Sequence, residues 1–202
     1  MNTGDSIALE LIMEFRQNVH SILGVFLDGT MGLGLLRKHF DKVQREALRL
    51  VDDLDVSSLD ATDFLYGKGD PNSPDAIILH KAKQADFKAR IQQGSKNETF
   101  LGNMCLVMIY QYWEDHYRLK IAKALGMEDK DDLKCAIMGD VRHLRRSIIH
   151  NNGIAVPEVN NCELLKWFAP GDHIMIDQSN LEELVQHIDS CLEELGHQAS
   201  TL

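Results

Sequence analysis

Apolar side chains recur every three or four residues along most of the chain, the period of helices with one buried stripe. Ile7, Leu11, Phe15, Val19, Ile22 and Phe26 mark a first helix, capped by Ser6 and running to about Leu27, where Asp28-Gly29 breaks it. Leu35, Leu36, Phe40, Val43, Leu50 and Val51 mark a second, roughly Met31 to Leu54, with basic residues such as Arg37 and Arg45 outward. Two long helices joined by a short turn predict an antiparallel hairpin.

From Asp55 to Asn72 the periodicity dissolves into Asp, Ser and Gly, which predicts an exposed, mobile loop with one short helix around Leu59 to Tyr66. Ser73-Pro74-Asp75 places a cap before a proline at the first helical position, so a helix is expected from there to about Gln93. Asn97 opens the longest apolar helix, to Leu125 and Gly126, carrying the mixed aromatic and ionisable stretch Tyr112 to Arg118. Acids at Asp129 to Asp132 suit the first turn of a further helix through Ile137, Val141, Leu144 and Ile148.

After Gly153 two short runs, Leu164 to Phe168 and His173 to Asp177, flank Ala169-Pro170-Gly171-Asp172 and predict a small β-hairpin. Ser179-x-x-Glu182 reads as the capping box of a last helix that ends at Gly196. The expectation is one all-α domain over residues 1–202, with five main helices, a small β-hairpin and a closing helix.

Composition narrows this little. With 44% hydrophobic and 26% charged residues the chain is ordinary for a globular protein. A formal charge of −10 argues against broad, non-specific coating of nucleic acid, yet permits one local basic site. Cys105, Cys135, Cys162 and Cys191 lack any C-x-x-C spacing, so reduced core thiols are expected. The first six residues lack the positive flank of a signal peptide, and no apolar run approaches the ~18 residues of a bilayer span. A cytoplasmic location away from membranes is the resulting expectation. The nine histidines show no H-E-x-x-H or similar spacing, so neither a metal nor another cofactor is expected.

The chemistry concentrates in Val141 to Ala155, which holds three arginines and two histidines without an acid. Arg146 and His150 stand one helical turn apart, flanked by Arg142 and His143, with Arg145 between this group and the apolar stripe. Asn151-Asn152-Gly153 follows, with Gly153 suited to a left-handed cap. A histidine in this position serves either as a general acid and base near neutral pH or as a dipole-favouring helix end.

Arg145, four residues, His150 and the Asn-Asn-Gly exit resemble the signature of the HEPN superfamily (higher eukaryotes and prokaryotes nucleotide-binding domains). The position after the motif arginine, often Asn, Asp or His in that family, is Arg146 here. The resemblance implies an all-α, commonly dimeric domain and a metal-independent endoribonuclease of toxin or antiphage-defence type. It would cleave RNA by 2′-hydroxyl transesterification at a dimer interface that includes the motif helix. His150 would move the protons and Arg145 would hold the scissile phosphate through charge-assisted bonds.

Arg142, Arg146 and Asn151 would bind the RNA backbone, and His143 and Arg118 would support the site. RNA, a second copy of the chain, and an antitoxin or nucleotidyltransferase are the partners so implied. The alternative is a non-catalytic HEPN-like module that binds a partner protein or a nucleotide.

Overall fold

The computed structural model describes residues 3–201 and is mostly helical, with one small two-stranded antiparallel sheet. Its contacts divide the chain into two compact units, Met1–Asp28 with Thr99–Leu202, and Gly29–Glu98. The expected single domain over residues 1–202 is thus divided more finely, into two units.

Helix α1 runs unbroken over Thr3–Leu50, so the expected hairpin of two helices does not form. A glycine inside a helix costs only about 1 kcal/mol, and burial of apolar residues on both sides of Gly29 outweighs it. Ser6 lies inside the helix, where its hydroxyl donates to Glu10 at 3.5 Å. Continuity also joins apolar stretches read as separate: part of Ser6–Leu50 is long and apolar enough, by length and composition, to cross a bilayer. That corrects the expectation of no such run. The signal-peptide reading rests partly on Met1 and Asn2, outside the described residues.

In the first unit, the early part of α1 buries Ala8, Ile12, Phe15 and Val19 against α4 (Lys96–Tyr112), α6 (Ala136–His150) and α7 (Gln178–Thr201). The helix expected over Asn97 to Leu125 is interrupted. Between α4 and α5 (Arg118–Ala124) lies a π-helical segment, Trp113–Tyr117, closed by the Arg118 N–H donating to the Trp113 carbonyl. Trp113 and Tyr117 are buried against Phe15, with ring centroids 5.4 and 5.1 Å away. The Tyr117 hydroxyl donates to Glu14 at 3.0 Å and accepts from Asn18.

Residues 164–177 form no hairpin, because other groups take their backbone bonds. The buried Asp140 carboxylate accepts the N–H groups of Glu163, Leu164 and Leu165 at 2.7 to 3.0 Å. Buried Asn103 donates to the Ile174 carbonyl at 3.1 Å and accepts from the Ile176 N–H at 3.2 Å. What pairing remains is a single antiparallel bridge, Ile154 with His173. Helix α7 starts through Asp177 and Asn180, whose side chains each accept the other's backbone N–H, rather than through Ser179 and Glu182. Cys135 and Cys191 are joined as a disulfide with Cα atoms 6.4 Å apart, so only Cys105 and Cys162 remain thiols.

In the second unit, α2 (Val56–Asp60) is followed by β1 (Asp63–Lys68), β2 (Ile77–Lys83) and α3 (Gln84–Arg90). The loop and long helix expected over 55–93 are thus replaced by a hairpin between two short helices. Ser73 closes a turn by accepting from the Ala76 N–H, and the β-branched and aromatic residues on either side pair instead of coiling. The ladder shifts register at Tyr66 and Gly67, where a Cβ on Gly67 would come within 2.5 Å of the Ile77 carbonyl. Phe40, Phe87 and Ile91 form the core, with Phe64 stacked on Phe87 at 4.0 Å between centroids.

Candidate functional site

The site lies wholly in the first unit. Its scaffold is α6, whose Ile137, Val141 and Leu144 are fully buried. The acids before it do not begin the helix: Asp129 caps a separate 3₁₀ turn, Lys130–Asp132, and α6 starts at Ala136. At the far end, the N–H groups of Asn151 and Gly153 both donate to the Ser147 carbonyl. Asn152 and Gly153 take positive φ values of 53° and 77°, which reverses the chain as the Asn-Asn-Gly run implies. Buried Ser147 locks this exit, its hydroxyl donating to the His143 carbonyl and accepting from the Val156 N–H.

This geometry brings Arg145 and His150 together, Nη1 of the guanidinium 3.5 Å from Nε2 of the imidazole. His150 is exposed and Arg145 is partly buried. The guanidinium sits 5.8 Å from the Tyr110 ring centroid, and its Nε is buried without a hydrogen-bond partner. Arg145 has no ion-pair partner among the described residues. A guanidinium without a carboxylate partner among the described residues keeps N–H donors with which it can hold an anion.

The other expected site residues divide. Arg146 is engaged with Glu158 at 2.9 Å, and Asn151 donates to the Ile154 carbonyl at 2.8 Å, which closes the turn. His143 is partly buried; burial foremost, then the Arg142 charge, pushes its pKa down and keeps it neutral at pH 7. Arg118 is held by Glu114 at 3.1 Å and Asp131 at 3.0 Å. Burial pushes the Glu114 carboxyl up, but hydrogen bonds from Lys130 and Arg118 together outweigh it and hold the group below its ordinary value.

Arg142 is exposed and forms no hydrogen bond or ion pair among the described residues. With Tyr110, Glu114, Arg118 and Glu163 it lines a cleft of about 330 Å³ between α6 and the π-helical region. Burial first, then the Glu114 charge, raises the Tyr110 pKa, so its hydroxyl is a neutral donor.

Sequence reasoning missed Tyr110, Asp140, Ser147 and Glu163. Only Asp140 left a local signal: a carboxylate three residues after Ile137 and four before Leu144 stands on the apolar stripe of α6. Among the described residues no group of three or more His, Cys, Asp or Glu is placed to hold a metal ion. No protein-family model, no curated protein and no solved structure matches the chain.

Proposed function

We propose that the protein is a HEPN-like, metal-independent endoribonuclease whose chemistry is carried by Arg145 and His150. The observation that supports this reading is the pairing itself: an exposed imidazole 3.5 Å from a guanidinium that has no carboxylate partner among the described residues. In the proposed reaction the ribose 2′-oxygen attacks the adjacent phosphorus while its proton passes to a neutral imidazole. The bond from phosphorus to the 5′-oxygen breaks, and that oxygen takes a proton from an imidazolium. The products are a 2′,3′-cyclic phosphate and a 5′-hydroxyl, and no net oxidation or external co-reactant is involved. Arg145 stabilises the negative charge that builds on the phosphoryl oxygens.

One histidine cannot be base and acid in the same instant. The reading therefore includes a homodimer in which two α6 helices supply two imidazoles to one phosphate. The test is cleavage of labelled RNA in excess chelator by the parent and by His150→Ala and Arg145→Ala. Parent cleavage that leaves cyclic phosphate, reduced at least 100-fold in both variants, supports the reading; an inactive parent or an unchanged His150→Ala overturns it.

A second reading, a non-catalytic HEPN-like module that binds a partner protein or nucleotide, is favoured by one observation. The residue after the motif arginine, Arg146, is committed to Glu158 rather than to the histidine. Saturable RNA binding without turnover by the parent would select it.

A further inference from the structure

The cleft beside the Arg145 and His150 pair holds an arginine and a glutamate, Arg142 and Glu163, with no hydrogen-bond or ion-pair partner among the described residues. Of the other charges in its wall, Glu114 is paired with Arg118 and Lys130, and the Lys134 ammonium donates to the Asp131 backbone carbonyl. The cleft therefore presents the Arg142 guanidinium and the Glu163 carboxylate, with the Tyr110 hydroxyl and the Lys134 ammonium beside them, to whatever enters. Both free groups sit on braced backbone: Arg142 in α6, and Glu163 at the start of the run whose N–H groups Asp140 holds. At about 330 Å³ the space is at the small end of ligand pockets, roughly 300 to 1,000 Å³, and so takes a single small unit rather than a stretch of polymer.

We infer that this cleft seats one guanine base of the RNA, with Arg142 reading its acceptor edge and Glu163 its donor edge. Among the four bases guanine offers two adjacent acceptors, O6 and N7, that a guanidinium takes bidentately. It also offers two adjacent donors, N1–H and the exocyclic amine, that match the two oxygens of a carboxylate. Adenine and cytosine each give a carboxylate only one amino group, and uracil gives a single imino proton. An arginine and a glutamate left free in one cleft are therefore complementary to guanine above the others.

Tyr110 connects the cleft to the Arg145 and His150 pair, for it lines the cleft and its ring also lies under the Arg145 guanidinium. Arg142 and Arg145 are separated by about 4.5 Å of helical rise, so the base and a phosphate of one nucleotide span them.

This inference rests on the proposed function in taking RNA as the natural ligand, but its test does not require cleavage. GMP, AMP, CMP and UMP are titrated by calorimetry into the parent, Glu163→Gln, Arg142→Ala and His150→Ala proteins. GMP is expected to bind at least tenfold more tightly than the other three. Glu163→Gln and Arg142→Ala are each expected to remove that preference, and His150→Ala to leave it intact.

Equal binding of all four, no saturable binding of GMP, or a Glu163→Gln protein that still selects GMP overturns the inference. The Glu163 side chain is exposed and forms no hydrogen bond or ion pair among the described residues, and only its backbone N–H is held, so Glu163→Gln is expected to fold as the parent does. Selective GMP binding without RNA cleavage would retain the guanine seat and discard the nuclease. Cleavage with no base preference and no GMP binding would do the reverse.

Discussion

The carboxylate of Asp140 accepts the backbone N–H of Leu164 at 2.7 Å, and one buried side chain thereby ties α6 to the loop that faces it across the cleft. The same group holds Glu163 and Leu165, and at 2% exposure it has no water to replace them. Asp140→Ala leaves three N–H groups without their acceptor. Charge-assisted bonds are worth about 1.5 to 3 kcal/mol each and are not additive, so a loss of at least about 3 kcal/mol is expected. Urea unfolding of parent and variant measures it. A change below about 1 kcal/mol would mean that the loop is held by other contacts.

Gly102 and Gly24 lie in helices but face different surroundings. A Cβ on Gly102 would stand 2.0 Å from the carbonyl oxygen of Ile176, a residue whose backbone N–H donates to Asn103, whereas nothing lies within 4 Å of one on Gly24. Gly102→Ala is expected to destabilise by about 1 to 3 kcal/mol through overpacking. Gly24→Ala should stabilise by about 0.5 to 1 kcal/mol, because alanine loses less backbone freedom on folding. Thermal melts of the two variants should therefore shift in opposite directions.

The Glu114 network makes stability depend on acid. Hydrogen bonds from Lys130 and Arg118 hold the folded carboxyl below its ordinary 4.5 despite burial. A depressed carboxyl contributes stability that is fully present above the unfolded pKa and is lost as pH falls through the folded one. The parent should therefore lose stability below about pH 4.5 more steeply than Glu114→Gln, while the variant is less stable at neutral pH. Denaturation midpoints from pH 3 to 7 for both proteins check the sign.

Burial pushes the thiols of Cys105 and Cys162 up to about 11, with the Asp140 charge adding to Cys162, so neither is a reactive thiolate at neutral pH. The Cys135–Cys191 link closes a separation of 56 residues between the start of α6 and α7. Loop entropy alone gives such a link about 4 kcal/mol of stabilisation. Under non-reducing conditions, intact mass with and without alkylation should show two blocked and two alkylatable cysteines once the chain is unfolded. Four alkylatable cysteines would remove the link, and Cys191→Ser should lower the melting temperature only if it forms.

Much of the helical architecture was legible in local pattern. The period of apolar residues in α1, α4, α6 and α7 depends only on chain geometry, so it appears in the sequence wherever one face is buried. The adjacency of Arg145 and His150 was similarly within reach, since both sit within five residues on one helix end. The Asn-Asn-Gly exit was readable because positive φ selects such residues.

Tertiary structure alone decided where helices continue and which polar groups remain free. Asp28-Gly29 looks like a stop, yet apolar contacts in two units carry α1 through it. The runs at 164–177 look like strands, but Asp140 and Asn103, from 23 to 73 residues away, take the hydrogen bonds a ladder would need. The same distance hides the fates of the basic residues: Arg146 goes to Glu158 and Arg118 to Glu114 and Asp131, while Arg142 is left to the cleft. Periodicity is a property of neighbours along the chain, whereas a hydrogen-bond partner is chosen by packing among residues that no local pattern joins.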